Sequence, residues 1–224
     1  MPRRPALLFD LDGTLVDTLE LILTSMRHAF GGRVGAPSDD QWRVGIGKPL
    51  RTQLREFAAN EDDVEELAAS YRAHQTTNHD RLTACYAGVA PTLEALRAHG
   101  HPMALVTSKA GDIAARSLAH VGLDRLMDVV ISAESTTRNK PHPEPVLLAC
   151  ERLGVAPADA LFVGDSPHDV EAGNAAGTRT VAALWGFFPR EELAAADYFL
   201  DDVAELPVLL DRLETHPRPS ALGR

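Results

Sequence analysis

The sequence predicts an α/β fold, a Rossmann-like parallel sheet core into which a small all-helical segment is inserted. Three observations predict it. After residue 88, helical segments alternate four times with short apolar runs, the pattern of parallel βαβ units. A further apolar run, Pro5 to Phe9, precedes any helix. Between the two, residues 18–84 carry helical periodicity with no strand-like alternation.

The first run, Pro5-Ala6-Leu7-Leu8-Phe9, feeds directly into Asp10-Leu11-Asp12-Gly13-Thr14 and reads as a buried strand ending in a turn. From Thr18 the pattern changes: Leu19, Ile22, Leu23 and Met26 mark one face of an amphipathic helix, which Gly31-Gly32 stops. Residues 49–59 and 61–79 also read as helices, the second with Val64, Leu67, Ala68 and Tyr71 on one face. Beyond Tyr86-Ala87-Gly88, helix 89–99 leads to strand 103–106 and helix 111–121 to strand 128–131. Helix 143–153 then leads to strand 160–163 and helix 167–176 to strand 179–183. Val129-Val130-Ile131 and Ala160-Leu161-Phe162-Val163 are continuous apolar runs, as strands covered on both faces require. Tyr198 to Leu213 adds one more strand and helix. The expected division is a core of residues 1–17 and 85–214, a helical cap of residues 18–84 and a flexible tail at 215–224, which carries two prolines and no apolar period.

Composition bounds the function. Hydrophobic residues make up 45% of the 224 and charged residues 24%, ordinary usage for a globular chain. No apolar run approaches the roughly 18 residues of a membrane span, and Ala6 to Phe9 is too short for a secretory signal; a cytoplasmic protein is expected. Cys85 and Cys150 lie 65 positions apart without metal-ligand spacing. The net charge of −10 repels nucleic acid and anionic membranes at long range, so neither is an expected partner. An anionic substrate must instead be held by local cations. At this size a monomer or weak homodimer is expected.

In an open parallel sheet, ligands sit outside the carboxyl ends of the strands. Those positions are chemically loaded here: Asp10 and Asp12 after the first strand, Thr107-Ser108-Lys109 after the second, and Gly164-Asp165-Ser166-Pro167-His168-Asp169 after the fourth. Lys140 opens the turn Lys140-Pro141-His142-Pro143-Glu144-Pro145 near the same edge. Several carboxylates aimed at one space require a shared cation or proton. Mg²⁺, a hard ion wanting oxygen ligands, fits best. His142 and His168 fit loop and helix-start positions better than metal ligation, and Asp17 fits a helix cap.

The ordered set Asp10-x-Asp12-Gly13-Thr14, Thr107, Lys140-Pro141 and Gly164-Asp165-x-x-x-Asp169 resembles the four motifs of the haloacid dehalogenase superfamily over about residues 6–185. The helical segment after the first motif resembles that superfamily's small α-helical cap. Asp10 to Thr18 together with Lys140 to Pro145 is similar to the phosphoglycolate phosphatase and bacterial inorganic pyrophosphatase branch. The resemblance implies that Asp10 is the nucleophile, forming an aspartyl-phosphate, and that Asp12 is the acid and then the base. It implies that Thr107, Ser108 and Lys140 hold the phosphoryl group, and that Mg²⁺ is bound by Asp10, the Asp12 carbonyl, Asp165 and Asp169. The implied substrate is a small phosphorylated metabolite, phosphoglycolate first and pyrophosphate second.

Two cap cations, Lys48 and Arg51, lie in the Gly-rich loop Val44-Gly45-Ile46-Gly47-Lys48-Pro49-Leu50-Arg51. They are candidates for reading the far end of an anionic substrate, and the same pattern also fits a helix start with solvated basic side chains. Among rival functions, dehalogenation needs neither Asp12 nor Asp165. A phospho-sensing receiver-like module accommodates the sixty-odd-residue insert poorly. A β-phosphoglucomutase-like phosphotransferase remains open, with Gly164-Asp165 leaning toward a phosphatase.

Overall fold

The computed structural model describes residues 4–215. In chain order its elements begin with β1 (Ala6–Phe9), β2 (Val16–Asp17), α1 (Leu19–Phe30), α2 (Asp39–Arg43), α3 (Leu50–Leu54), α4 (Glu61–Asn78) and β3 (Ala84–Cys85). There follow α5 (Val89–Ala98), β4 (Met103–Val106), α6 (Gly111–His120), β5 (Val129–Ile131), α7 (Glu144–Leu153), β6 (Ala160–Gly164) and α8 (Pro167–Ala176). The chain closes with β7 (Arg179–Ala183), β8 (Tyr198–Leu200) and α9 (Leu206–Thr215).

Six strands form one parallel sheet in the order β5-β4-β1-β6-β7-β8. The chain builds outward from β1 through β4 to β5, then returns to β6 on the other side of β1. This reversal opens a crevice beyond the carboxyl end of β1, where such sheets bind ligands. Every residue of β1 is buried, and its alternate side chains serve opposite layers. Leu7 and Phe9 join Leu93, Leu105, Leu161, Val163 and Leu206 on one face. Ala6 and Leu8 join Val106, Val146, Ala149 and Phe162 on the other. A strand covered on both faces must be apolar throughout, and this explains why an acid at its end is conspicuous.

The four helices α1 to α4 lie between β2 and β3, a two-stranded antiparallel pair in which Val16 faces Cys85 and Asp17 faces Ala84. Their apolar sides share a third cluster built on Met26, Phe30, Trp42, Leu54, Leu67 and Tyr71. This cluster is not closed on itself. Val170, Ala182, Phe187, Phe188 and Leu193 of the sheet layer complete it.

Several local expectations need correction. Ala84, placed at the end of the helical segment by sequence, lies in β3. The helix read over residues 49–59 stops at Leu54. α2 was not foreseen, although its start is a capping box in which Ser38 Oγ accepts from Gln41 N and the Gln41 side chain accepts from Ser38 N. Thr215 belongs to α9; the rest of the expected tail, residues 216–224, lies outside the described residues. Among the described residues no helix is long and apolar enough to cross a membrane.

Candidate active site

Asp10 stands immediately after β1, and its carboxylate is 6% exposed. Lys140 reaches it from the turn before α7. The Lys140 ammonium, 1% exposed, donates to Asp10 Oδ1 at 2.7 Å, to Asp169 Oδ1 at 2.5 Å and to the Val106 carbonyl at 3.0 Å. All three donors of the ammonium are thereby used. Asp10 Oδ2 keeps no hydrogen bond among the described residues.

Asp169 is held at the start of α8, where Ser166 caps the helix. Asp169 Oδ2 accepts from Ser166 N at 3.0 Å while Ser166 Oγ accepts from Asp169 N at 3.3 Å, a reciprocal capping box, and Ser166 Oγ also donates to Asp169 Oδ2 at 2.6 Å. Asp165 follows β6 and fits a slot lined by two glycines. Its Oδ1 accepts from Thr14 Oγ1 at 3.1 Å and its Oδ2 from Phe187 N at 2.8 Å. Gly13 adopts φ +85, and a Cβ there would stand 2.1 Å from Asp165 Oδ2; a Cβ on Gly186 would stand 2.2 Å from Asp165 Cβ. Only glycine leaves room at either place.

One oxygen from each of Asp10, Asp165 and Asp169 lies within 4.8 Å of the others. Burial, with Lys140 partly opposing and Asp169 adding to it, pushes the Asp10 carboxyl up to about 7. Burial first, then repulsion from Asp169 and Asp10, raises Asp165 well above the carboxylate range. Burial disfavours the Lys140 ammonium, but Asp10 and Asp169 together outweigh it and leave the group above its ordinary value. One ammonium thus faces three carboxylates. The donor set is all oxygen, with no cysteine or histidine in it, and this suits a hard divalent cation such as Mg²⁺.

The side chain of Asp12 turns away from that cluster. Its Oδ1 accepts from Thr18 Oγ1 at 2.6 Å and pairs with the Lys109 ammonium. It still lines the same cavity as Asp10 and Asp165. Thr107 and Ser108 follow β4 at the cavity floor. Thr107 Oγ1 accepts from Lys109 N at 3.2 Å, while the buried Ser108 Oγ has no hydrogen-bond partner among the described residues. An orphaned hydroxyl at such a place calls for a ligand or water.

The cavity measures about 280 Å³ and is roofed by the helical insert. Lys48 and Arg51 both line it. Each is engaged by a neighbouring carboxylate: Lys48 Nζ donates to Glu56 at 2.6 Å, and the Arg51 guanidinium binds both oxygens of Glu65 at 2.6 and 2.7 Å. The roof rests on the floor near Gly47, where a Cβ would come within 3.0 Å of Ser166 Oγ and 3.1 Å of the His168 ring.

A family model described as haloacid dehalogenase-like hydrolase matches residues 7–183. The chain belongs to that family. A pyrophosphatase PpaX of Bacillus velezensis is 37% identical to this hydrolase over 207 residues, covering 91% of this chain and 95% of the relative. The crystal structure of a "predicted phosphoglycolate phosphatase" from Haemophilus somnus matches with a TM-score of 0.82 and 28% identity, over 93% of this chain and 99% of the other. A β-phosphoglucomutase from Clostridium difficile superimposes with a TM-score of 0.83 over 95% and 98% of the two chains; at 18% identity it speaks for the fold alone. The chain is a haloacid dehalogenase-like hydrolase of the phosphatase branch.

Thr14, Ser166 and Lys109 stand in the motifs read from sequence, though without the roles they have in this hydrolase's site, and Gly186 and Phe187 are not singled out there. Thr14 Oγ1, Phe187 N, Ser166 and Gly186 hold the acids, and Thr18 and Lys109 hold Asp12. Ser166 carried a usable signal, a serine three residues before an acid at a helix start. Phe187 carried none, since it contributes a main-chain amide.

Proposed function

We propose that this hydrolase is a Mg²⁺-dependent phosphohydrolase working through an aspartyl-phosphate on Asp10, with pyrophosphate as the first substrate to test. One observation carries the reading: a buried aspartate lining the cavity, whose Oδ1 is fixed by Lys140 while its Oδ2 makes no hydrogen bond among the described residues. In the first step Asp10 Oδ2 bonds to phosphorus as the bond to the leaving oxygen breaks, and protonated Asp12 gives that oxygen its proton. In the second step Asp12 takes a proton from water, whose oxygen attacks the phosphorus of the aspartyl-phosphate. Phosphate leaves and the Asp10 carboxylate returns. Splitting one displacement in two in this way is nucleophilic catalysis, and the alternating proton transfers are general acid and base catalysis.

Lys140 would orient Asp10 and offset its charge, and Ser108 Oγ with Thr107 would accept the role of phosphoryl clamp. Asp10, Asp165 and Asp169, with the Asp12 carbonyl, would hold Mg²⁺, which when bound neutralises the charge between nucleophile and phosphoryl oxygens. Pyrophosphate takes precedence over phosphoglycolate, the substrate expected first from sequence. The relatives named pyrophosphatase PpaX are nearer in sequence than the structural neighbour titled after phosphoglycolate. The small cavity suits either substrate.

Asp10→Asn keeps the size of the side chain and removes the nucleophile. Phosphate release is expected to fall by more than about 10³-fold, with the melting temperature close to that of the parent protein. A variant that still turned over at a near-normal rate would exclude Asp10 as nucleophile.

A further inference from the structure

The cavity roof contains two polar side chains that the reaction leaves unused. Arg72 and Gln75 project from α4 three residues apart, the spacing that puts side chains on one helix face, and both line the cavity. Gln75 is 7% exposed and its amide makes no hydrogen bond among the described residues. Arg72 is half-buried and has neither an ion pair nor a hydrogen bond among the described residues. The nearby carboxylate of Glu65 does not change this, because both its oxygens are taken by Arg51. The other cations on the wall are equally committed, Lys48 to Glu56 and Lys109 to Asp12. Glu134, the acid on the opposite wall, accepts from Gly111 N and Ser132 Oγ.

A buried amide without a partner is uncommon in native structures and marks a place where a ligand supplies the missing acceptor, and the half-buried Arg72 beside it has near it the Glu65 carboxylate, already bound through both oxygens by Arg51. A guanidinium offers a planar fork of donors matched to a carboxylate or phosphate, and an amide beside it adds one donor more. We propose that Arg72 and Gln75 bind the second anionic group of the substrate, the end that is not transferred to Asp10. The substrate class is then a small phosphate carrying a further phosphate or carboxylate at its far end. Lys48 and Arg51, the sequence candidates for that task, instead brace the roof through Glu56 and Glu65. The inference rests on the phosphohydrolase reading and adds the group that selects among phosphates.

Phosphate release from pyrophosphate, phosphoglycolate and phenyl phosphate is measured for the parent protein, Arg72→Met, Arg72→Lys and Gln75→Leu. For Arg72→Met, the ratio of kcat/KM on either substrate with an anionic far end to that on phenyl phosphate is expected to fall about 10- to 100-fold, the loss of one charge-assisted contact. Arg72→Lys recovers part of the ratio, and Gln75→Leu loses less than Arg72→Met. Whichever substrate loses more identifies the far end as phosphate or carboxylate. An unchanged ratio in both Arg72→Met and Gln75→Leu overturns the inference. Should the parent protein release phosphate from none of the three, the phosphohydrolase reading fails, and calorimetry with methylenediphosphonate and Mg²⁺ decides the inference separately. There, binding about tenfold weaker in Arg72→Met supports the receptor, and equal binding overturns it.

Discussion

A β-carbon added at Gly186 would meet Asp165 Cβ at 2.2 Å and the Gly13 carbonyl at 2.5 Å. Neither neighbour can retreat, since Asp165 is held on one side by Thr14 and on the other by Phe187 N. Gly186→Ala should therefore displace Asp165, costing about 1–3 kcal/mol of stability as overpacking does. The same change should raise the Mg²⁺ concentration needed for half-maximal activity by roughly tenfold, following loss of ligand alignment. A Mg²⁺ titration indistinguishable from the parent's would refute this account of the slot. The acids themselves were legible in the sequence because an apolar strand has no structural use for Asp10 or Asp165 at its end. Their supports were not. Gly186 and Phe187 lie in a loop after β7, more than twenty residues from the acid they serve, and neither residue type announces a hydrogen bond to a carboxylate.

At the scale of elements, long helices with an apolar face were legible, and short pieces were not. α4 showed Val64, Leu67, Ala68 and Tyr71 at helical spacing, and all four are buried. β2 and β3 are two residues each, too short to carry a period, and they pair across the whole insert. Arg72 and Gln75 were hidden by the same logic, because a periodicity argument sorts polar positions on a helix as solvent-facing. The end of α4 is tied to α6 by a buried histidine. His79 Nε2 meets Ser117 Oγ at 2.8 Å and Nδ1 meets Asp80 at 2.7 Å, while Arg116 binds Asp80 and the Thr76 carbonyl. Burial lowers the His79 pKa from 6.5, with Asp80 partly opposing and Lys109 and Arg116 reinforcing it. His120 also stands 3.9 Å from Asp80. Between that lowered value and 6.5, the unfolded chain binds more protons than the folded one. The stability from this contact is accordingly complete above 6.5 and lost as pH falls below it. Protection factors of the amides at the end of α4, which allow for the slower intrinsic exchange at low pH, should be smaller at about pH 5.5 than at about pH 7.5, and His79→Gln should remove that difference.

For the molecule as a whole, the alternation of helices and apolar strands made the sheet legible, and the crevice followed from strand order. What the sequence could not convey was how incompletely the helical layer covers itself. The buried acid cluster couples the stability of the whole protein to pH. Without a divalent ion, burial and mutual repulsion hold Asp10 at about 7 and Asp165 well above the carboxylate range. The native state then binds more protons than the unfolded chain from about pH 4 upward, so stability falls as pH rises toward about 7. Mg²⁺ should raise the melting temperature more at about pH 8 than at about pH 5. Calorimetric scans with and without the ion measure this, and an equal increment at both pH values would count against a shared cation. Asp17 and Ala84 are register partners, so the polypeptide departs for the helical layer and comes home through one narrow doorway. Over evolutionary time a different set of helices could be spliced in there without altering the order of the sheet, since closing so short a gap costs little entropy. Any such graft would inherit Val170, Ala182, Phe187, Phe188 and Leu193 as a greasy threshold, and would have to bring its own apolar sole to stand on it.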